Sequence, residues 1–328
     1  MMELRTDRVR ILYIAGLGRS GSTLLGRILG TAEGAFYAGE LRYLWEFGVI
    51  GGHRCGCDKQ VAECEVWSNV LALVGQSHPE LAQEVFSHLR RTLTKTRHLP
   101  LLATPLGRRL LGPRLRHYIA GLEALYEGIA RVTGCTIVVD SSSSPVYGYA
   151  LRLCGSMDTS IVHLVRDPRA HAHSWRRVKD WGDPDVPESM PRFSVIESAL
   201  WWIVWNLITE RFLSQDAKPP IRIRYEDMIT LAPGSILALA ASLGVNLPTA
   251  TLTDASPPRL NLPRSHSVAG NPVRHNVGGV ELRLDDAWLR EMDRPSSLLV
   301  SAICWPLAAR YGYPRVARRG DFHRGQRD

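Results

Sequence analysis

The chain has 328 residues, 45% hydrophobic and 22% charged, with a formal net charge of +8, enough length to bury a large core. No apolar stretch approaches the ~20 residues of a membrane helix: the best candidate, 199–208, is short and flanked by Glu197 and Glu210. The positive charge comes without a long basic run or a zinc-finger or RRM-type signature, so it points to an anionic ligand and away from nucleic acid.

Taken in chain order, the first apolar run, Ile11 to Ala15, is too short for the h-region of a signal peptide. A cytoplasmic location is therefore expected. Five runs rich in β-branched residues and closed by turn chemistry read as buried parallel strands: ILYIAG (11–16), AFYAGE (35–40), TIVVDS (136–141), SIVHLVRD (160–167) and IRIRYED (221–227). Helical patterns fall between and after them, at 22–29, over much of 79–131, and at 170–179, 195–213 and 235–243. Strands alternating with helices predict an α/β fold, a mostly parallel central sheet flanked by helices in three layers. One domain spanning 1–328 is expected, with a mostly helical insertion at about 51–131, given by analogy to acceptor binding or a lid. The polar tail at about 315–328 is expected to be disordered.

Ligands of such sheets bind beyond the carboxyl ends of the strands. The loop at Gly16, the acid Glu40, Asp140 and the pair Arg166–Asp167 all fall at strand ends. The stretch GLGRSGSTLL (16–25) fits two phosphate-binding patterns in part. Gly16, Gly18 and Gly21 spell GxGxxG, and Gly16 and Gly21 have Walker A spacing with Ser22 in place of the lysine. A strand leading through such a loop into a helix aims backbone N–H groups and a helix dipole at an anion. Arg19, Ser20, Ser22 and Thr23 add a cation and three hydroxyls. A dinucleotide reading is favoured by Glu40, roughly 20 residues on, where a ribose-binding acid belongs. An NTPase or kinase reading, a P-loop-type phosphotransferase, lacks the lysine and an acid to hold Mg²⁺.

A second motif, HLVRDPRAHAHSW (163–175), follows the fourth strand. Its strand-end Arg166 and its helical Ser174 can converge on one phosphate, the arginine offering a forked donor set. The chain then carries two phosphate sites, one for a 5′ group and one for another phosphate of the same nucleotide.

With these motifs in hand, the chain resembles the sulfotransferases that use 3′-phosphoadenosine 5′-phosphosulfate, and looks closest to their carbohydrate and tyrosylprotein branch and its bacterial relatives. The resemblance rests on RSGSTLL (19–25), GEL (39–41), VRDPRAHAHSW (165–175), RYEDM (224–228) and HSVAGNPVR (266–274). It implies a P-loop-like fold and transfer of a sulfuryl group to a hydroxyl of a small-molecule, glycan, glycolipid or peptide acceptor, with no metal required. By resemblance, Gly18, Arg19, Ser20, Gly21, Ser22 and Thr23 hold the 5′-phosphosulfate, while Arg166 and Ser174 hold the 3′-phosphate. The loop of Gly270, Asn271 and Arg274 closes over the nucleotide, Glu40 is the general base, and Arg19 is catalytic. Relatives often carry a lysine after the third strand. Ser143 stands there in this chain, so Arg42, a cation from the insertion, or Arg19 alone must serve.

Other features read as structural. The six cysteines are not a disulfide framework and should be thiols or metal ligands. His53, Cys55, Cys57 and Cys64 are dense enough for a metal, but the Cys-x-Cys step is tighter than usual, so no residue is assigned to one. His171 and His173, two apart on a helix, face different sides. Trp201, Trp202 and Trp205 are expected in the core, and Arg224 with Asp227 is expected to cap a strand end.

Overall fold

A computed structural model describes residues 8–77, 83–180, 183, 186, 189–213, 219–253 and 257–315. Of the polar tail expected at 315–328, all but Arg315 lies outside them. Strands β1 (Val9–Gly16), β2 (Ala35–Gly39), β3 (Ile137–Ser143), β4 (Met157–Val165) and β5 (Ile221–Arg224) form one sheet in the order β2-β3-β1-β4-β5. Every pairing in it is parallel, as the strand–helix alternation requires. Successive side chains of β1 point to opposite faces. Ile11, Tyr13 and Ala15 pack with Trp67, Tyr118 and Tyr126 on one side, and Leu12 and Ile14 with Leu25, Ile28 and Met228 on the other. The fold is α/β, as expected.

Helix α1 (Ser22–Leu29) follows the glycine loop. Between β2 and β3 lie α2 (Glu65–Ser77), α3 (Gln83–Leu93), α4 (Leu99–Ala103) and α5 (Pro105–Thr133). The helical segment there thus begins earlier than the expected 79. Helix α5 is kinked where Gly112 leaves helical geometry ahead of Pro113. Then follow α6 (Pro145–Arg152), α7 (Pro168–Arg176), α8 (Val195–Leu213), α9 (Tyr225–Thr230), α10 (Gly234–Ser242), α11 (Trp288–Glu291) and α12 (Arg294–Arg310). A small antiparallel sheet of β6 (Leu252–Thr253), β7 (Arg259–Leu262) and β8 (Gly278–Glu281) was not evident in the sequence, because its strands are two to four residues long and rich in Arg, Gly and Asn. The expected strand at 221–227 stops at Arg224. There Arg224 turns its fork onto Asp227 (2.6 and 2.5 Å), and Glu226 and Asp227 favour the N-terminal turn of α9.

The carboxyl edge of β2 is closed by a distant segment. Val268 N–H donates to Ala38 O (2.9 Å), and Glu40 N–H donates to Val268 O (2.7 Å), so a single parallel bridge joins Gly39 and Val268. Gly39 adopts φ +87°, and a Cβ there would lie 2.2 Å from Val268 O. Only glycine fits that backbone. Gly39→Ala should lower stability by about 2–4 kcal/mol, combining left-handed strain with a backbone clash. A urea-unfolding midpoint equal to that of the parent would contradict this packing.

Candidate active site

A cavity of about 640 Å³ opens where the sheet ends. It is lined by residues at or just past the carboxyl end of every strand of the main sheet: Leu17 and Gly18 after β1, Glu40 after β2, Ser143 of β3, Arg166 after β4 and Tyr225 after β5. Of the residues expected from sequence, Gly18, Arg19, Gly21, Ser22, Thr23, Glu40, Arg166, Ser174, Gly270 and Asn271 line this one space. Ser20 and Arg274 do not. Ser20 is buried within the loop. Arg274 is fully buried and gives Nη1 to Gly270 O (2.8 Å) and Nη2 to Arg54 O (3.3 Å), so it shapes the 270–274 loop from behind.

The glycine loop has the geometry that suits an anion. Gly21 caps α1 in the left-handed conformation, no side chain caps the helix, and its first turn holds no acid. The N-terminal amides and dipole are left for a ligand. Arg19, itself at φ +69°, lies over the Trp175 ring (4.8 Å). Its Nη1 is buried without a partner among the described residues. Burial, and then the neighbouring charge of Arg166, brings the Arg19 guanidinium down to about 10. Two cations this close, in a poorly solvated place, are stabilised by an anion between them.

Arg166 is held by a buried frame. Asp167 caps α7 by accepting from Arg169 N–H (2.9 Å) and takes the Arg169 fork at Nε and Nη2 (2.9 and 2.6 Å). Glu226 Oε1 accepts from Asp167 N–H (2.9 Å), and Trp202 Nε1 donates to Arg166 O (2.9 Å). The guanidinium lies over Tyr225 (4.6 Å), gives Nη1 to Arg19 O (2.9 Å) and Nη2 to Asp285 Oδ2 (2.9 Å), and keeps Nε buried without a partner among the described residues. The link from Arg166 to the Arg19 carbonyl joins the two expected phosphate sites directly.

Glu40 sits opposite the loop. Burial pushes its carboxyl up to about 7; Arg42 opposes that rise, Asp140 adds to it and Arg274 opposes it. Asp140 is fully buried and receives Tyr126 OH and Ser142 N–H. The strap from Val268 brings Gly270 close: a Cβ there would come within 3.2 Å of Thr23 Oγ1 and 3.4 Å of Glu40 Oε1. Asn271 N–H donates to Thr23 Oγ1 (3.3 Å), so the 270–274 loop touches both the glycine loop and the carboxylate. Ser143, at the position where relatives often carry a lysine, lines the cavity with its hydroxyl turned to Ser141 O (2.9 Å). Arg42 also lines it, stacked on Tyr43 (4.6 Å), with Nε buried and without a partner among the described residues.

Several wall residues escaped the sequence reading. Tyr43, Phe47 and Phe193 form aromatic wall, and Asp285 and Lys179 add charge. Trp201 and Trp205, expected in the core, line the cavity as well; of that trio only Trp202 is core. Their spacing, four apart on α8, puts them on one helix face, which periodicity alone does not distinguish from a core stripe. Among the described residues of the helical insertion at 51–131, none lines the cavity. Its helices instead cover one face of the sheet, around Trp67, Tyr118 and Tyr126. His171 and His173 diverge as expected: His171 is buried and accepts from Trp175 Nε1 (2.8 Å), while His173 meets Glu291 (3.2 Å). His53 turns away from the cysteines, stacks on Phe47 and lies 3.9 Å from Asp183.

Residues 12–249, more than two thirds of the chain, match the model of the sulfotransferase family. The chain belongs to that family. Among solved structures, two sulfotransferase domains are similar to it. One is from the olefin synthase of Synechococcus PCC 7002, at 20% identity over 95% of this chain and 98% of that one, with a TM-score of 0.47. The other is from the curacin biosynthetic pathway, at 18% identity over 95% and 99%, with a TM-score of 0.46. No curated protein is similar at a significant level. No helix among the described residues of this sulfotransferase is long and apolar enough to cross a membrane.

The electrostatics of Glu40 can be read directly. In the free sulfotransferase its carboxyl should titrate near 7 by ¹³C NMR, assigned by loss of the signal in Glu40→Gln. Arg42→Met should move that midpoint upward, since a cation favouring the carboxylate is gone. A midpoint near 4, unmoved by the Arg42 substitution, would contradict the enclosed carboxyl.

Proposed function

We propose that this sulfotransferase moves a sulfuryl group from 3′-phosphoadenosine 5′-phosphosulfate to a hydroxyl of a small-molecule, glycan, glycolipid or peptide acceptor. The observation that carries the reading is that one cavity joins a carboxyl poised near 7, Glu40, to two arginines, Arg19 and Arg166, each with a buried nitrogen that has no partner among the described residues. Residues 1–328 act as one domain in this reading.

The chemistry assigns each group a task. Glu40 takes the proton of the acceptor hydroxyl as its oxygen attacks sulfur, and a pKa near working pH suits a general base. The S–O bond to the 5′-phosphate breaks, and charge grows on the departing phosphate oxygen. Arg19 and the amides of 18–23 meet that charge with donors already in place. Arg166 and Ser174 grip the 3′-phosphate, away from the reacting atoms, and so orient the donor. Asp285 must yield its hold on Arg166 when that phosphate enters. A sulfuryl group carries less charge than a phosphoryl group, so Arg19, with Arg42 in the place of the expected lysine, suffices without Mg²⁺. The aromatic wall of Tyr43, Phe47, Trp201 and Trp205 suits an acceptor with an apolar or ring-shaped body beside its hydroxyl.

Glu40→Gln should leave affinity for 3′-phosphoadenosine 5′-phosphate nearly unchanged and cut turnover by about 10²–10⁴. The parent's kcat/KM should fall as pH drops below about 7, because protonation removes the base. A Glu40→Gln variant that turns over normally but binds nucleotide poorly would make Glu40 a ribose ligand and favour the dinucleotide reading.

A further inference from the structure

Outside the cavity, the structure draws together four groups that neither the fold nor the transfer chemistry calls for. The side-chain ligand atoms of Cys55, Cys57, Cys64 and His266 all lie within 4.8 Å of one another. The three thiols are buried, and none is in a disulfide. Cys57 Sγ is 3.6 Å from Cys64 Sγ, and Cys64 Sγ is 3.2 Å from His266 Nδ1. A disulfide would need about 2.05 Å. A tetrahedral zinc with Zn–S of about 2.3 Å and Zn–N of about 2.0–2.1 Å sets S···S near ~3.8 Å and S···N near ~3.5 Å. The observed separations fall close to those values.

We infer that Cys55, Cys57, Cys64 and His266 form a structural Zn²⁺ site that fastens the 54–64 hairpin to the 265–275 loop.

The backbone is arranged for it. Arg54 and Gln60 form an antiparallel bridge around a tight turn in which Cys55 N–H donates to Lys59 O (2.8 Å) and Asp58 N–H to Cys55 O (2.9 Å). This turn presents Cys55 and Cys57 together, which makes the short Cys-x-Cys step workable. Cys64 stands immediately before α2. The fourth ligand stands 202 residues beyond Cys64, so no local motif could announce it. His266 is held for the role: Trp67 Nε1 donates to its carbonyl (2.6 Å), and Gly56 N–H donates to Ser267 O (2.9 Å). Three thiolates and one imidazole with no open position form the donor set of a closed structural zinc site, softer than Mg²⁺ or Ca²⁺ accept. None of the four lines the cavity, so the ion takes no part in sulfuryl transfer. Two residues after His266 comes Val268, whose carbonyl receives the Glu40 N–H (2.7 Å). The metal would therefore steady the strap that sets Glu40, whichever nucleotide the cavity accepts.

The test is metal analysis of the full chain, purified reduced and without chelator. Stoichiometric zinc is expected by mass spectrometry, lost in Cys57→Ser and Cys64→Ser and retained in Cys154→Ser and Cys304→Ser. Because the first two variants can fail to fold, unsubstituted protein is also stripped and refilled with Co²⁺. Thiolate-to-cobalt charge transfer with tetrahedral ligand-field bands, displaced by Zn²⁺, is the expected result. Metal-free protein that gives no charge-transfer band with Co²⁺ would overturn the site.

Discussion

Val268 pairs its backbone with the end of β2, accepting from Glu40 N–H and donating to Ala38 O. That short strap fixes Glu40 and keeps Gly39 left-handed. Two residues on, it carries Gly270 between Thr23 and the Glu40 carboxylate. Two residues before, it carries His266 to the cysteine cluster. Without it, the acid, the glycine loop and the 54–64 hairpin would have no shared reference. The sheet itself supplies only the strand ends; the strap turns them into a closed site.

The charges of the site follow from burial. Carboxyl groups taken out of water resist ionisation, and guanidinium groups resist it less because they are weakly hydrated. Glu40 is therefore poised, while Arg19, Arg42 and Arg166 remain cationic. Each of these arginines keeps a nitrogen buried and without a protein partner among the described residues, a costly state that an incoming anion relieves. The buried frame around Asp167, Arg169 and Glu226 serves a different end: every strong donor and acceptor there is paired, so Arg166 is aimed rather than mobile.

Much of this was legible in the sequence. The five strands announced themselves through β-branched runs because a central parallel strand is buried on both faces, and α1 and α8 were delimited correctly at both ends. The clustering of Arg19, Glu40 and Arg166 follows from one rule about strand ends, and Ser174 joins them from the helix that begins just after Arg166. What stayed hidden depends on contacts distant in the chain. Helix α12 carries Pro306 in its interior, which breaks the helical pattern. Trp201 and Trp205 read as core until the cavity gave one face of α8 something to line. The burial of Arg274 behind its loop and the turning away of His53 are decided by tertiary neighbours that no spacing encodes. His266 belongs to the motif HSVAGNPVR, but its nearness to Cys64 is a property of the fold.

In the proposed reaction, two phosphates of one nucleotide are read by two different arginines. Calorimetry of the parent and Arg166→Ala with 3′-phosphoadenosine 5′-phosphate and with adenosine 5′-phosphosulfate tests it most directly. Tight binding of the bisphosphate by the parent is expected, with a loss of about 2–4 kcal/mol for it in the variant and little change for the ligand that lacks a 3′ group. Equal losses for both ligands, or a parent that prefers ATP with Mg²⁺ over the bisphosphate, would contradict it.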